Sequence, residues 1–168
     1  LHAPTDRWYP TDSLSDDSAG DLLSLPLFGV DVACARAYAA WLSAARGERY
    51  RLPSEDEWEK AARGLDGRAY PWGDHFDASF CKMRDSRQGP PRPERADVFV
   101  IDESPYGIRA MAGTIAEWVK IDDANFCTRG AAWSDSEVDC LASARRICDV
   151  DVKTTRTGMR LVRDFEQS

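Results

Sequence analysis

The stretch RLPSEDEWEKAARG, residues 51–64, encodes a complete helix with both of its ends marked. Ser54 is the predicted N-cap. Glu57, three residues later, completes a capping box in which each side chain accepts a hydrogen bond from the other residue's backbone amide. Acidic residues fill the first turn, basic residues the last, and Gly64 follows as the C′ residue. One face carries Trp58 and two alanines, so the pattern predicts a short helix packed closely against a flat surface.

A second helix is predicted upstream, over residues 29–45. Asp31 is its expected N-cap and Gly47 ends it. Its apolar stripe consists of Val32, Ala35, Ala39 and Leu42, with Tyr38 and Trp41 on either side. Residues 74–93 are rich in Gly, Pro, Arg and Asp, which predicts a long structured loop. Strands are expected at 98–101, within 106–119, 129–133 and 141–150, and at 159–162.

Composition sets the class of protein. The chain has 168 residues, 43% of them apolar and 30% charged, which is the size and balance of one globular domain. Its net charge of −7 and lack of a basic tract argue against a nucleic acid or an anionic membrane as partner. We find no membrane-length apolar run, no signal peptide and no C-x-x-C pair. The chain has five cysteines, Cys34, Cys81, Cys127, Cys140 and Cys148. Their odd number predicts reduced thiols and a cytoplasmic protein.

Several motifs together resemble one family, the formylglycine-generating-enzyme-like (sulfatase-modifying factor, FGE-sulfatase) domain. They are, in chain order, GVD at 29–31, AYAAWL at 37–42, RLPSE at 51–55, EW at 57–58, AARG at 61–64, YPWGD at 70–74, SPYG at 104–107, MAG at 111–113, EW at 117–118, RG at 129–130, Trp133 and GMR at 158–160. The sequence at residues 79–84 and 100–107 is most similar to the form of this domain that is attached to bacterial serine/threonine protein kinases.

The resemblance implies an α+β, C-type-lectin-like fold, with two helices against small twisted antiparallel sheets and much irregular loop. It covers residues 29–164, so residues 29–168 are assigned to the domain. Residues 1–28 are assigned to a loop-like lead segment, the remnant of a longer front part. We therefore expect the chain to be a fragment, with another chain or the missing front segment completing the sheet.

Catalytic members of this family hold copper with two thiols placed five residues apart after the Arg-Gly motif. Cys140 occupies the position of the second thiol, but Asp135 occupies that of the first. Because Cu(I) selects soft sulfur ligands, a thiolate with a carboxylate is a poor copper site. Cys140 is the only catalytic candidate, and the expected role for it is a buried core residue. An enzymatic alternative places Cys148 beside Cys140.

Calcium is the other ion that the resemblance implies. Its ligands would come from the residue before the Met-Ala-Gly turn, the residue after it, and the Glu of Glu-Trp. Here these are Ala110, Thr114 and Glu117, so only one carboxylate is left of a site that needs six or more oxygens. We therefore expect no bound cofactor, and Glu117 is the single metal candidate.

The interval between the Arg-Gly motif and the final Gly-x-Arg meets the ligand in C-type-lectin-like proteins. The candidate ligand-binding residues in this interval are Trp133, Asp135, Glu137, Asp139, Arg146, Asp149, Asp151, Lys153 and Arg156. A charged loop with an aromatic side chain suits a protein or a small polar ligand. An ordinary solvated face is the competing interpretation.

Three functions are left open by these patterns. The first is a non-catalytic sensing or scaffolding domain of a bacterial signalling protein, associated with a kinase. The second is a formylglycine-generating-type oxidoreductase that uses Cys140. The third is a variable binding protein diversified by a retroelement.

Overall fold

The computed structural model describes residues 25–165 of the chain. The predicted lead segment, residues 1–28, therefore lies outside the described residues except for its last four. The regular elements, in chain order, are α1 (Val32–Arg46), β1 (Tyr50–Arg51), α2 (Glu55–Arg63), β2 (Ala116–Lys120), β3 (Phe126–Arg129), a 3₁₀ turn (Glu137–Cys140), β4 (Arg145–Arg146), β5 (Thr157–Gly158) and β6 (Val162–Arg163).

Both predicted helices are confirmed, with their caps. Asp31 caps α1 by accepting the amide of Cys34 at 2.6 Å, and Gly47 ends the helix with φ 67°. The capping box of α2 is present: the Glu57 amide donates to Ser54 Oγ at 3.1 Å and the Ser54 amide donates to Glu57 Oε2 at 2.8 Å. These ends form as expected because a cap depends only on residues a few positions apart.

The larger sheet has four strands in the order β4-β3-β2-β5. β2 and β3 form an antiparallel hairpin with Trp118 opposite Thr128. β5 lies parallel to β2, with Ala116 opposite Thr157. The sheet is thus mixed, whereas antiparallel sheets were expected. β1 and β6 form a separate antiparallel pair, with Tyr50 opposite Arg163.

A buried arginine of the larger sheet forms ion pairs with helix α2. Arg129 of β3 is 3% exposed; its guanidinium lies 3.2 Å from Glu55 and 2.5 Å from Glu59, both on α2. The same guanidinium donates to the carbonyls of Ala142 and Ala144 at 3.2 Å each. Trp58 of α2 packs beneath it, 2% exposed. The flat partner predicted for α2 is therefore the β2–β3 hairpin and its flanking loops.

The predicted strand at 98–101 is wrong. This segment instead forms turns, in which the Val98 amide donates to Arg95 and the Asp102 amide donates to Phe99. Only Phe99 is buried, with the Arg87 guanidinium over its ring, while Val98, Val100 and Ile101 are 44–61% exposed. A run of apolar residues forms a strand only where a neighbouring strand supplies backbone partners, and within residues 25–165 none does so here.

No helix within residues 25–165 has both the length and the apolar character that crossing a membrane requires.

Candidate functional site

Asp135 lies at the centre of the predicted recognition loop. It is 4% exposed, and its Oδ2 accepts the Ala132 amide at 2.9 Å and the Arg146 guanidinium at 3.3 Å. Its Oδ1 pairs with the Arg156 guanidinium. Two arginines therefore neutralise a buried carboxylate at the position where the family's first thiol is expected.

Arg146 extends this network to the 3₁₀ turn. Its second terminal nitrogen lies 2.8 Å from Asp139 Oδ1, and the other oxygen of Asp139 accepts the Ser136 hydroxyl at 2.7 Å. Burial acts to raise the pKa of Asp139, but the Ser136 hydrogen bonds and the charge of Arg146 outweigh it and lower that pKa. Asp139 is therefore held as a carboxylate, and the loop charges are largely satisfied within the loop itself.

The other predicted ligand-binding residues lie apart from this network. The Trp133 indole donates to the Thr155 carbonyl at 3.1 Å, which ties the two ends of the interval together. Lys153 lies 3.5 Å from Asp31, at the start of α1. Asp149 accepts the amide of Asp151, and both are exposed.

Glu137 is exposed and sits 3.5 Å from the Tyr70 hydroxyl. Sequence reasoning missed three exposed apolar side chains of the same interval, Val138, Ile147 and Val152, at 66%, 68% and 45% exposure. Their signal in the sequence is a branched aliphatic residue set among charged residues. Such a residue can be buried or exposed, and the sequence alone does not distinguish the two.

Cys140 is fully buried, as expected for a core residue. Its neighbour is Cys81: the two Sγ atoms lie 3.7 Å apart. Cys148 belongs to a different hydrophobic cluster and its Sγ contacts the Thr128 hydroxyl at 3.6 Å. The pairing of Cys140 with Cys148 is thus replaced by one that the sequence did not indicate, between residues 59 positions apart.

Both carboxylate oxygens of Glu117 accept hydrogen bonds from nitrogen donors. Arg160 donates to Oε1 at 2.9 Å and to Oε2 at 3.0 Å, and the Trp58 indole donates to Oε2 at 2.7 Å. The negative charge of Glu117 raises the pKa of Arg160, which stays cationic beside it. A carboxylate paired with a guanidinium in this way has little capacity left for a cation.

The Met-Ala-Gly turn keeps an unusual backbone without the side chains expected around it. Ala110 has φ 58° and Thr114 has φ 81°, a left-handed conformation that Asn and Gly adopt more readily. The amides of residues 111–113 point at Asp102, which is fully buried and accepts them at 3.0–3.2 Å. Burial raises the pKa of Asp102 to about 7, against the lowering effect of these amides. Asp102 is therefore the acceptor of the amides of this turn.

Across the described part of the chain, no three or more His, Cys, Asp or Glu side chains converge as a metal site would require.

The comparisons with known proteins agree with this architecture. The model of the sulfatase-modifying factor enzyme 1-like (FGE-sulfatase) domain matches residues 8–165. A relative from Bos taurus, inactive C-alpha-formylglycine-generating enzyme 2, is 34% identical over 129 residues, which are 68% of this chain and 40% of that protein. The serine/threonine-protein kinase Pkn1 of Chlamydia trachomatis serovar L2 is 36% identical over 94 residues, which are 55% of this chain and 13% of the kinase.

Among solved structures, PvdO from Pseudomonas aeruginosa has a TM-score of 0.75 over 84% of this chain and 63% of that chain, at 22% identity. This likeness concerns the fold alone. The chain spans less than half the length of the two curated relatives. On the family match and the shared fold, the chain belongs to the FGE-sulfatase family, with an α+β fold of that family.

Proposed function

We propose that this chain is a non-catalytic binding domain of the FGE-sulfatase family, serving as the sensing or scaffolding part of a bacterial signalling protein linked to a kinase. One observation carries the proposal: the position of the family's first thiol holds Asp135, buried between Arg146 and Arg156. A hard carboxylate already neutralised by two guanidinium groups is an unsuitable ligand for Cu(I).

The remaining thiol supports the same proposal. A catalytic thiol needs access to substrate and an environment that favours the thiolate. Cys140 is fully buried, and its Sγ donates to the Ser136 carbonyl at 3.5 Å while accepting the hydrogen bond of Cys81. These contacts are those of a thiol packed in the core.

The names of the relatives support both halves of the proposal. One family member at 34% identity is described as inactive, which shows that the family includes members without the oxidase activity. Another carries the domain within a serine/threonine kinase. We extend the kinase link to this chain as a proposal only.

The proposed binding surface is the face around the 3₁₀ turn and β4. It combines the exposed apolar side chains of Val138 and Ile147 with the carboxylates of Glu137 and Asp149. The Asp135 network beneath fixes the loops that carry these side chains, which lowers the entropy lost on binding. Apolar contacts ringed by charges suit a protein partner or a small polar ligand.

The direct test is an assay for oxidation of a cysteine in a peptide, run with copper and a reductant. We expect the wild-type chain, the Cys140→Ala variant and a buffer blank to give the same rate, while an active formylglycine-generating enzyme in the same assay turns over. Copper-dependent turnover that disappears in Cys140→Ala would overturn the proposal.

The kinase link has its own test. An antibody against this domain should detect, in the source cells, a product of far greater mass than the 18.8 kDa of this chain, and that product should incorporate phosphate from ATP. A native product without kinase activity would contradict the proposed association with a kinase, but it would not affect the proposal that this domain is non-catalytic.

A further inference from the structure

Cys81 and Cys140 form a close pair that the proposed function does not use. Their Sγ atoms lie 3.7 Å apart, and both residues are fully buried. We propose that they form a reversible intramolecular disulfide, a modification site whose oxidant is a low-molecular-weight disulfide such as oxidised glutathione. This chemistry does not depend on the proposed binding function.

The geometry needs little adjustment. A disulfide has an S–S length of about 2.05 Å, so each sulfur must move by less than about 1 Å. The hydrophobic cluster around the pair includes Ala112 and Ala131, and both are fully buried. The other thiols are placed differently: Cys127 lies in a second cluster and Cys148 packs on a third.

The hydrogen bond between the thiols assigns their order of reaction. Cys81 donates to the sulfur of Cys140, and this bond together with burial raises the pKa of the Cys81 thiol. Cys140, as the acceptor, is the sulfur that attacks first. Cys140 loses its proton and its thiolate attacks the small disulfide, which forms a mixed disulfide at Cys140; the released small thiolate takes up that proton and leaves as a small thiol. Cys81 then loses its proton, attacks the Cys140 sulfur, and releases the second small thiol. Two protein thiols are oxidised and one disulfide is reduced.

Access comes through the 3₁₀ turn. It has four residues, Glu137–Cys140, and both Glu137 and Val138 are exposed. Opening of this surface turn breaks the bonds of Asp139 to Ser136 and Arg146, lifts Cys140 out of its hydrophobic cluster and brings it to solvent. The disulfide then ties the turn to the segment at Cys81. We therefore expect oxidation to slow amide hydrogen exchange in residues 137–140.

The experiment uses the whole chain, incubated with oxidised glutathione, quenched with acid and mapped as peptides without reduction. We expect a Cys81–Cys140 link, with a mass loss of two hydrogens, that dithiothreitol reverses. By the loop-closure argument, the oxidised protein should melt higher by roughly 5 to 10 °C. Cys34 is exposed and serves as the internal control, because its glutathione adduct proves that the oxidant is active.

Three variants sharpen the result. Cys81→Ala should stop at a glutathione adduct on Cys140, Cys140→Ala should leave Cys81 unmodified, and Cys127→Ala should form the link as wild type does. The proposal is overturned if Cys81 and Cys140 both stay free while Cys34 is modified, or if Cys140 links to Cys148. Hydrogen exchange on the wild type alone gives the second measurement: unchanged protection of residues 137–140 in a fully linked sample would remove the proposed effect on the turn.

Discussion

Glu117 and Asp135 are both buried acids neutralised by arginine, yet they belong to different parts of the molecule. The side chain of Glu117 is 5% exposed and that of its partner Arg160 is 31% exposed. Asp135 is equally buried, at 3%, but Arg146 and Arg156 are 42% and 44% exposed. The cation of the first pair is more shielded by the fold, whereas the two cations of the second are in wider contact with water.

The partners explain what each acid does. Glu117 sits on β2 and joins that strand to Trp58 of α2 and to Arg160, across 59 and 43 positions. The side-chain partners of Asp135 all lie between residues 132 and 156. Glu117 therefore holds distant parts of the domain together, while Asp135 shapes a single loop. One acid thus lies in the core and the other beneath a surface loop.

The largest expected effect is that of Glu117→Gln. The substitution leaves Arg160 without a carboxylate in a mostly enclosed site, which should cost about 3 kcal/mol of unfolding free energy. Urea denaturation measures it. The matched control is Glu103→Gln, which removes the exposed pair with Arg109 and should cost less than about 1 kcal/mol. Equal losses in the two variants would contradict the comparison.

Asp135→Asn should cost less, about 1 to 2 kcal/mol, because Arg146 and Arg156 can be rehydrated where they stand and Arg146 keeps Asp139. The same urea titration checks it. We also expect faster hydrogen exchange confined to residues 132–156. A loss as large as that of Glu117→Gln, with exchange spread through the sheet, would show that the loop network supports the whole domain.

Ala110→Gly should stabilise the protein by about 1 kcal/mol, since Ala110 has φ 58° and glycine adopts that conformation without a Cβ clash. Thermal unfolding measures the gain. The control is Ala40→Gly, on the exposed face of α1, where the same chemical change should destabilise by about 1 kcal/mol. Two shifts of the same sign would mean that the turn stores no strain at Ala110.

The smallest effect concerns Glu57, an exposed acid paired with Arg51 at 2.6 Å. The Arg51 hydrogen bonds lower its pKa from 4.5 to about 2. Its folded-state pKa is depressed, so its stabilisation is present above about pH 4.5 and is lost as the pH falls towards 2. Solvent screening limits the gain to about 1 kcal/mol, since the Glu57 side chain is 43% exposed.

Glu57→Gln keeps a capping side chain but removes the charge. The difference in unfolding free energy between wild type and Glu57→Gln should therefore vanish between pH 4.5 and 2. A difference that persists at pH 2 would assign the effect to the helix cap rather than to the ion pair.

Sequence reasoning was accurate where a feature is encoded within a few residues. Asp31, Ser54 and Glu57 act as the caps that the sequence predicted, because capping hydrogen bonds span three positions. It was wrong at residues 98–101, because apolar character alone does not make a strand. Strand formation needs a partner, and no backbone in the described part of the chain provides one there.

The candidate site divides in the same way. Asp135 and Cys140, at the two positions that the resemblance assigns to thiols, are visible in the sequence, as is the family itself. The neutralisation of Asp135 by two particular arginines, the Glu117–Arg160 pair and the approach of Cys81 to Cys140 are not.

The amino-acid sequence by itself determined the helices, their ends and the family, because these rest on local hydrogen bonds and on residue order. Only the tertiary structure decided which charges meet and which sulfur faces Cys140. Those contacts join distant residues, 59 positions apart for the two sulfurs and 70 for Arg129 and Glu59. The chain brings such residues together through the packing of its core, where no local spacing rule applies.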